Sequence, residues 1–369
     1  MKGLILMIPV LEPYINERER NNLDKAIESG WISSIGKFII EFESNFKSLY
    51  SCERFVTSVS NGTAAIELAL KSIGIGRGKR VLVPNFTFGA TLNAVLNVGA
   101  EPILFEPSVG NWNIDTELCK FDELLASIDA IILVSIYGVP INTEVFEYLK
   151  ENHPCISIVE DCAESFGTQY DNDFTGSMAD VATFSFFGNK TITTGEGGMV
   201  VFRDREAYER SLLIKNHGMS PDKKYTHVVG GSNYRMTNLQ ASIGVAQLEK
   251  ANFIFEKKNV ITAQYYNNLK NVDFQSGVDR EGTIIWLNTI LFKTSKERDR
   301  VVGNFIEKEI DFRLPFSPMN TQPAFSEFLV KGFAGAALDI FQRGISLPSA
   351  VTLDEPSQLR VIEAVNEIT

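Results

Sequence analysis

One lysine in this chain stands where an amine could do covalent chemistry. Lys190 lies in a polar, glycine-rich turn, Ser185-Phe-Phe-Gly-Asn-Lys190-Thr-Ile-Thr-Thr-Gly195-Glu-Gly-Gly198, right after the apolar, strand-like run Asp180-Val-Ala-Thr-Phe-Ser-Phe186. An amine ending a buried strand is desolvated, which depresses its pKa and lets it attack a carbonyl. A candidate acidic partner precedes it, Asp161 in Ile158-Val-Glu-Asp-Cys-Ala-Glu-Ser165. A lysine for a Schiff base and an aspartate that keeps a pyridinium nitrogen protonated are what pyridoxal 5'-phosphate (PLP) requires. Alone, Lys190 reads as a surface lysine in a loop. The rest of the chain reverses that.

Four further features add to the pair. Ser60-Asn-Gly-Thr63 lies between a predicted strand and a predicted helix, so the backbone N–H groups of Gly62 and Thr63 can hold an anion. The alternative is an ordinary Thr63 cap with a turn glycine. Pro84-Asn-Phe-Thr-Phe88 follows another strand and could lay an aromatic ring on a flat cofactor, or could be core. Asp161 and Glu164 place carboxylates at the same sheet edge, where open α/β sheets bind ligands. Gly231-Ser-Asn-Tyr-Arg-Met-Thr-Asn-Leu-Gln240 gathers polar side chains just before a helix, where a structural cap is the other reading.

The elements that must position these residues alternate along the first half of the chain. Helical spacing covers 16–30, 38–50 and 63–73, and strands are read at Phe55–Ser58, Arg80–Pro84, Pro102–Phe105, Ala130–Ser135 and Cys155–Glu160. Continuous apolar strands separated by helices imply a mostly parallel sheet in a three-layer α/β domain. After about residue 250 the alternation gives way to helix, then a strand-like run over Thr283–Phe292 and a helix near Glu297–Glu309. The expected division is a large domain over 1–250 and a smaller α+β domain over 251–369.

Composition narrows the class. The 369 residues are 44% hydrophobic, enough for a large core. A formal net charge of -11 favours neither nucleic acid nor an anionic membrane. Cys52, Cys119, Cys155 and Cys162 are scattered and only three histidines occur, so neither a metal site nor a disulfide framework is expected. The apolar run Gly3–Pro9 is too short to span a membrane and lacks a cleavage site. A soluble protein of a reducing compartment, the cytoplasm, is expected.

Together these motifs resemble the DegT/DnrJ/EryC1/StrS sugar aminotransferases, from Gly30-Trp-Ile-Ser-Ser34 through to Ser346-Leu-Pro-Ser349, in the family's order. The resemblance implies the aspartate-aminotransferase fold (PLP fold type I), with PLP on Lys190 and Asp161 on its pyridine nitrogen. It places Glu164 near the ring hydroxyl, where many relatives carry Gln. It gives the phosphate to Gly62, Thr63 and Ser185, and the ring face to Phe88. Asn233 would reach the phosphate from a partner subunit, which requires a homodimer; a helix cap is the alternative for Asn233. Phe166 stands where many relatives have His.

Dehydratases resembling the family replace the lysine with histidine, so Lys190 argues for transamination. Trp31-Ile-Ser-Ser34 and Arg313-Leu-Pro-Phe-Ser-Pro-Met319 look most like the perosamine-synthase branch, which aminates C4 of GDP-4-keto-6-deoxymannose with L-glutamate. By that resemblance Trp31, Ser33, Arg313 and Asn320 face the nucleotide sugar, Asn320 replacing the branch's usual His. Relatives acting on dTDP- or UDP-linked keto sugars share nearly all the motifs. A dehydratase or a regulatory protein without activity are the readings from other classes.

Overall fold

The computed structural model describes residues 7–50, 53–171, 173–333 and 335–369. Cys52 and most of the apolar run Gly3–Pro9 lie outside the described residues. The strands are β1 (Phe55–Val59), β2 (Arg80–Pro84), β3 (Glu101–Phe105), β4 (Ala130–Val134), β5 (Ser157–Asp161), β6 (Val181–Ser185), β7 (Gly198–Phe202), β8 (Asp273–Phe274), β9 (Thr289–Leu291), β10 (Val330–Lys331) and β11 (Gly344–Ser346). Eight of them form one sheet in the order β1-β7-β6-β5-β4-β2-β3-β10. It is parallel except for β7, which runs antiparallel to both neighbours.

The sheet is buried on both faces because alternate side chains enter different cores. Val81, Val83, Ile132, Val134, Val159 and Val181 pack with the helices Gly62–Ser72 and Gly89–Asn97. On the opposite face Leu82, Ile131, Leu133 and Ile158 meet Val145, Phe146 and Leu149 of the helix Thr143–Asn152. Further along that face Phe184 and Met199 meet Phe42 and Phe46 of the helix Lys37–Leu49. A two-residue period with both phases apolar can settle only as the middle of three layers.

A second, antiparallel sheet has the order β11-β9-β8 and shares a core with the helices Ala251–Asn268, Ser295–Glu307 and Glu355–Asn366. The chain crosses residue 250 in both directions. Ile8 bridges Ile310 and joins this second core, while β10 returns to pair with β3 in the large sheet.

The strand expected over Thr283–Phe292 is a strand only at β9. Before it, the N–H of Ile284 bonds the Thr168 hydroxyl and that of Trp286 bonds the Tyr137 carbonyl. Those donors serve loops of the large sheet, so no ladder forms there. Among the described residues no helix is long and apolar enough to cross a membrane.

Candidate active site

The C-terminal ends of β1, β2, β4, β5 and β6 lie on one edge of the sheet, and the start of β7 joins them there: Gly198 pairs with Val59 on one side and Ser185 on the other. A Cβ on Gly198 would lie 2.7 Å from the Asn61 carbonyl and 2.9 Å from that of Phe184, so only glycine fits. Gly62 is equally constrained, since its Cβ would lie 2.8 Å from Ser185 Cβ. Two of the three residues expected at a phosphate therefore touch.

The cap of the helix that starts at Gly62 is Asn61, not Thr63. Its side chain accepts the Ala64 N–H at 2.8 Å, and its carbonyl accepts that of Ala65. The first N–H groups of a helix lack intrahelical partners, so those of Gly62 and Thr63 lie at the positive helix end beside Ser185.

Asp161 ends β5 on the face shared with those helices. Its oxygens accept from Thr91 Oγ1 and the Ala163 N–H, each at 3.1 Å. Burial pushes its pKa up, and the charge of Lys190 opposes that rise. Glu164, also buried, accepts the Tyr137 N–H at 2.8 Å on Oε2, while Oε1 lies 3.7 Å from Lys190 Nζ. Burial raises its pKa as well. Lys190 has its pKa lowered, first by burial; Glu164 and Asp161 counteract this and Arg313 adds to it. The amine also lies over the face of Trp286, 3.8 Å from Nζ to the ring centroid.

The residues fit PLP. A buried carboxylate held by only neutral donors suits a cationic ring N–H, a desolvated lysine suits an aldehyde, and a helix N-terminus against Ser185 suits a phosphate. Phe88, just before the helix Gly89–Asn97 that follows β2, is 62% exposed, its ring 6.1 Å from that of Phe316.

Other expected site residues sit differently. Trp31 and Ser33 are exposed, and their carbonyls are held by Asn238, through its Nδ2 and its N–H respectively. Asn320 exchanges two hydrogen bonds with Asn85, which also donates to the buried Glu106 at 2.6 Å. Asn233 is exposed, and its side chain accepts from Arg235 Nε at 2.9 Å. The helix after it is capped by Thr237 with Gln240, so the capping alternative for Asn233 fails. Phe166 is buried among Phe46, Phe184 and Phe186. Thr91, Tyr137 and Trp286 were missed by sequence reasoning. Thr91 could have been suspected from its place one turn beyond Phe88; nothing local marks the other two.

Comparison with known proteins shows which family carries this fold. The sequence profile of the DegT/DnrJ/EryC1/StrS aminotransferase family matches residues 13–366. The chain is 38% identical over 365 residues to the GDP-perosamine synthase of Escherichia coli O157:H7, covering 98% of each. It is 31% identical over 370 residues to EpsN of Bacillus subtilis, a putative pyridoxal phosphate-dependent aminotransferase, covering 96% of this chain and 93% of that one. Helicobacter pylori PseC, an aminotransferase involved in the biosynthesis of pseudoaminic acid, shares the fold with a TM-score of 0.89 at 22% identity, covering 98% of this chain and 99% of its own. With these motifs in order on this fold, the chain belongs to the DegT/DnrJ/EryC1/StrS aminotransferase family and is a PLP-dependent sugar aminotransferase.

Proposed function

We propose that the protein transfers the amino group of L-glutamate to C4 of a nucleotide-linked 4-keto-6-deoxyhexose, in the GDP series, for a surface glycan such as an O-antigen. The observation that carries the chemistry is the largely enclosed Lys190 amine, 3.7 Å from Glu164 and within the field of Asp161. The GDP series is supported by three relatives named GDP-perosamine synthase, at 33–38% identity over nearly the whole chain. The reading includes a cytoplasmic homodimer, and a division into a PLP-binding part over 1–250 and a smaller part over 251–369.

In this reading Lys190 holds the cofactor covalently, Asp161 keeps its ring nitrogen protonated, and Gly62, Thr63 and Ser185 take its phosphate. Phe88 covers the ring, and Glu164 lies beside the ring hydroxyl. Bound there, PLP supplies an electron sink for the carbanion left when an amino donor loses its α-proton. Lys190 Nζ, once free, takes that proton and returns it as general base and acid. Burial lowers its pKa, which favours the unprotonated amine that a base requires. Trp31, Ser33, Arg313 and Asn320 face the sugar nucleotide, and Asn233 completes the phosphate site of a second copy across a two-fold axis.

The purified protein should be yellow, and glutamate should shift its absorbance to the pyridoxamine form. Borohydride should tether the cofactor to the peptide containing Lys190; attachment elsewhere sinks the assignment. Turnover against GDP-, dTDP- and UDP-linked 4-keto-6-deoxy sugars selects the nucleotide, and a preference for dTDP or UDP would overturn the GDP reading. For Asn233, mixed dimers of Asn233→Ala and Lys190→Ala chains should regain activity, because the one intact Lys190 site draws Asn233 from the other chain.

A further inference from the structure

Trp286 is fixed at three points. Its N–H donates to the Tyr137 carbonyl at 2.8 Å, and its indole Nε1–H donates to the carbonyl of Asn189 at 2.7 Å. Its own carbonyl accepts from the buried Lys258 Nζ at 2.7 Å, and Lys258 also donates to the Ser349 carbonyl at 2.7 Å. Tyr137 is itself constrained: it is fully buried and holds a left-handed φ of 55°, which a bulky residue keeps only where its surroundings impose it. The indole is thereby tied to the residue beside Lys190, with its face 3.8 Å from the amine.

We propose that the Trp286 face is the seat of the Lys190 ammonium whenever that side chain is not bonded to the cofactor, with Tyr137 and Lys258 as positioning residues that hold the ring. This rests on the reading of Lys190 as the functional lysine. The charged groups around the amine are Glu164, Asp161 and Arg313. Glu164 stands at 3.7 Å, beyond a charge-assisted hydrogen bond, so it attracts the amine without fixing its direction. The indole quadrupole attracts an ammonium directionally, and most strongly in dry surroundings. An aromatic face is also no base. It can hold a protonated amine without taking the proton, which stays on Lys190 for return to the reacting carbon.

The test reads the amine itself. Full-length enzyme is converted with glutamate to the amino form of its cofactor, which frees Lys190. Its pKa is then read from the pH dependence of trace acetylation of the Lys190 peptide by acetic anhydride, with mass spectrometric detection. Trp286→Leu should lower that pKa by about one unit, a tenfold loss of ammonium at a given pH, or about 1.4 kcal/mol. Trp286→Phe, which keeps an aromatic face but loses the Asn189 tie and has a weaker quadrupole, should fall between the leucine variant and wild type. Equal pKa values in wild type and Trp286→Leu, or equal losses in both variants, overturn the proposal.

If the leucine variant does not fold, 5-fluorotryptophan keeps the side chain's shape and hydrogen bonds while withdrawing ring density. Labelled wild type should then show a lower Lys190 pKa and labelled Trp286→Phe should not; no change in labelled wild type overturns the proposal. Borohydride mapping of the same samples separates the two failures. A tether on another lysine overturns the Lys190 reading and this inference with it, whereas a tether on Lys190 with an unmoved titration overturns the Trp286 seat alone.

Discussion

The buried Glu164 carboxylate and the largely enclosed Lys190 amine stand 3.7 Å apart, and Tyr137 holds the carboxylate by its other oxygen at 2.8 Å. The pair is close enough for charge to be felt and too far for a direct proton hand-over. That spacing suits a lysine that must move between bonded and free states.

Glu164→Gln keeps an oxygen for the Tyr137 N–H and removes the charge. Because Glu164 raises the basicity of Lys190 against its burial, the variant's Lys190 should give up its proton at lower pH, by about one unit for a partly shielded charge. The acetylation titration of the amino form measures this directly. An unmoved pKa would mean that Glu164 is itself protonated at neutral pH.

Asp161→Asn should keep the cofactor bound, since the amide oxygen can still accept the Ala163 N–H while the amide NH2 donates to the Thr91 hydroxyl. Turnover should fall by roughly 10²–10⁴-fold, the range for lost proton management, because an amide does not stabilise a positive ring nitrogen. Steady-state kinetics beside an absorbance titration of PLP separates the two effects. Near-normal turnover would assign the ring nitrogen to another carboxylate.

Gly62→Ala forces a methyl to within 2.8 Å of Ser185 Cβ and 3.0 Å of its Oγ. The helix start must retreat, so PLP affinity should drop by about tenfold, or about 1.4 kcal/mol, with the far-ultraviolet spectrum unchanged. Unaltered PLP binding would show that the helix end and Ser185 are not the phosphate cradle.

Lys258 provides a pH signature of the fold. Burial depresses its pKa to about 7, from an unfolded value of about 10.4. Between those values the unfolded chain holds a proton that the folded chain lacks, so the stability this residue contributes rises as pH increases. Relative to Lys258→Met, wild type should gain up to about 1.4 kcal/mol per pH unit between pH 7 and 10. Urea unfolding of both proteins at pH 7 and pH 9.5 checks it; a constant difference would mean that Lys258 remains charged when buried.

Much of this site was legible in the sequence because its residues end predictable elements. Asp161 closes β5, Ser185 closes β6 and Gly62 opens a helix after β1, and a parallel sheet must bring such ends to one edge. Local chemistry also set the helix starts, although the cap fell to Asn61 where Thr63 was the sequence alternative. Trp286 and Tyr137 carry no local signal of this kind. Within the strand-like run Thr283–Phe292, Trp286 reads as one more apolar residue, and its position over Lys190 depends on Tyr137, Lys258 and Asn189. Those partners are dozens to more than a hundred positions away in the chain or on separate elements, so only tertiary packing could decide which ring faces the amine. Short-range periodicity encodes which face of an element is buried; it does not encode which distant backbone carbonyl will receive an indole N–H.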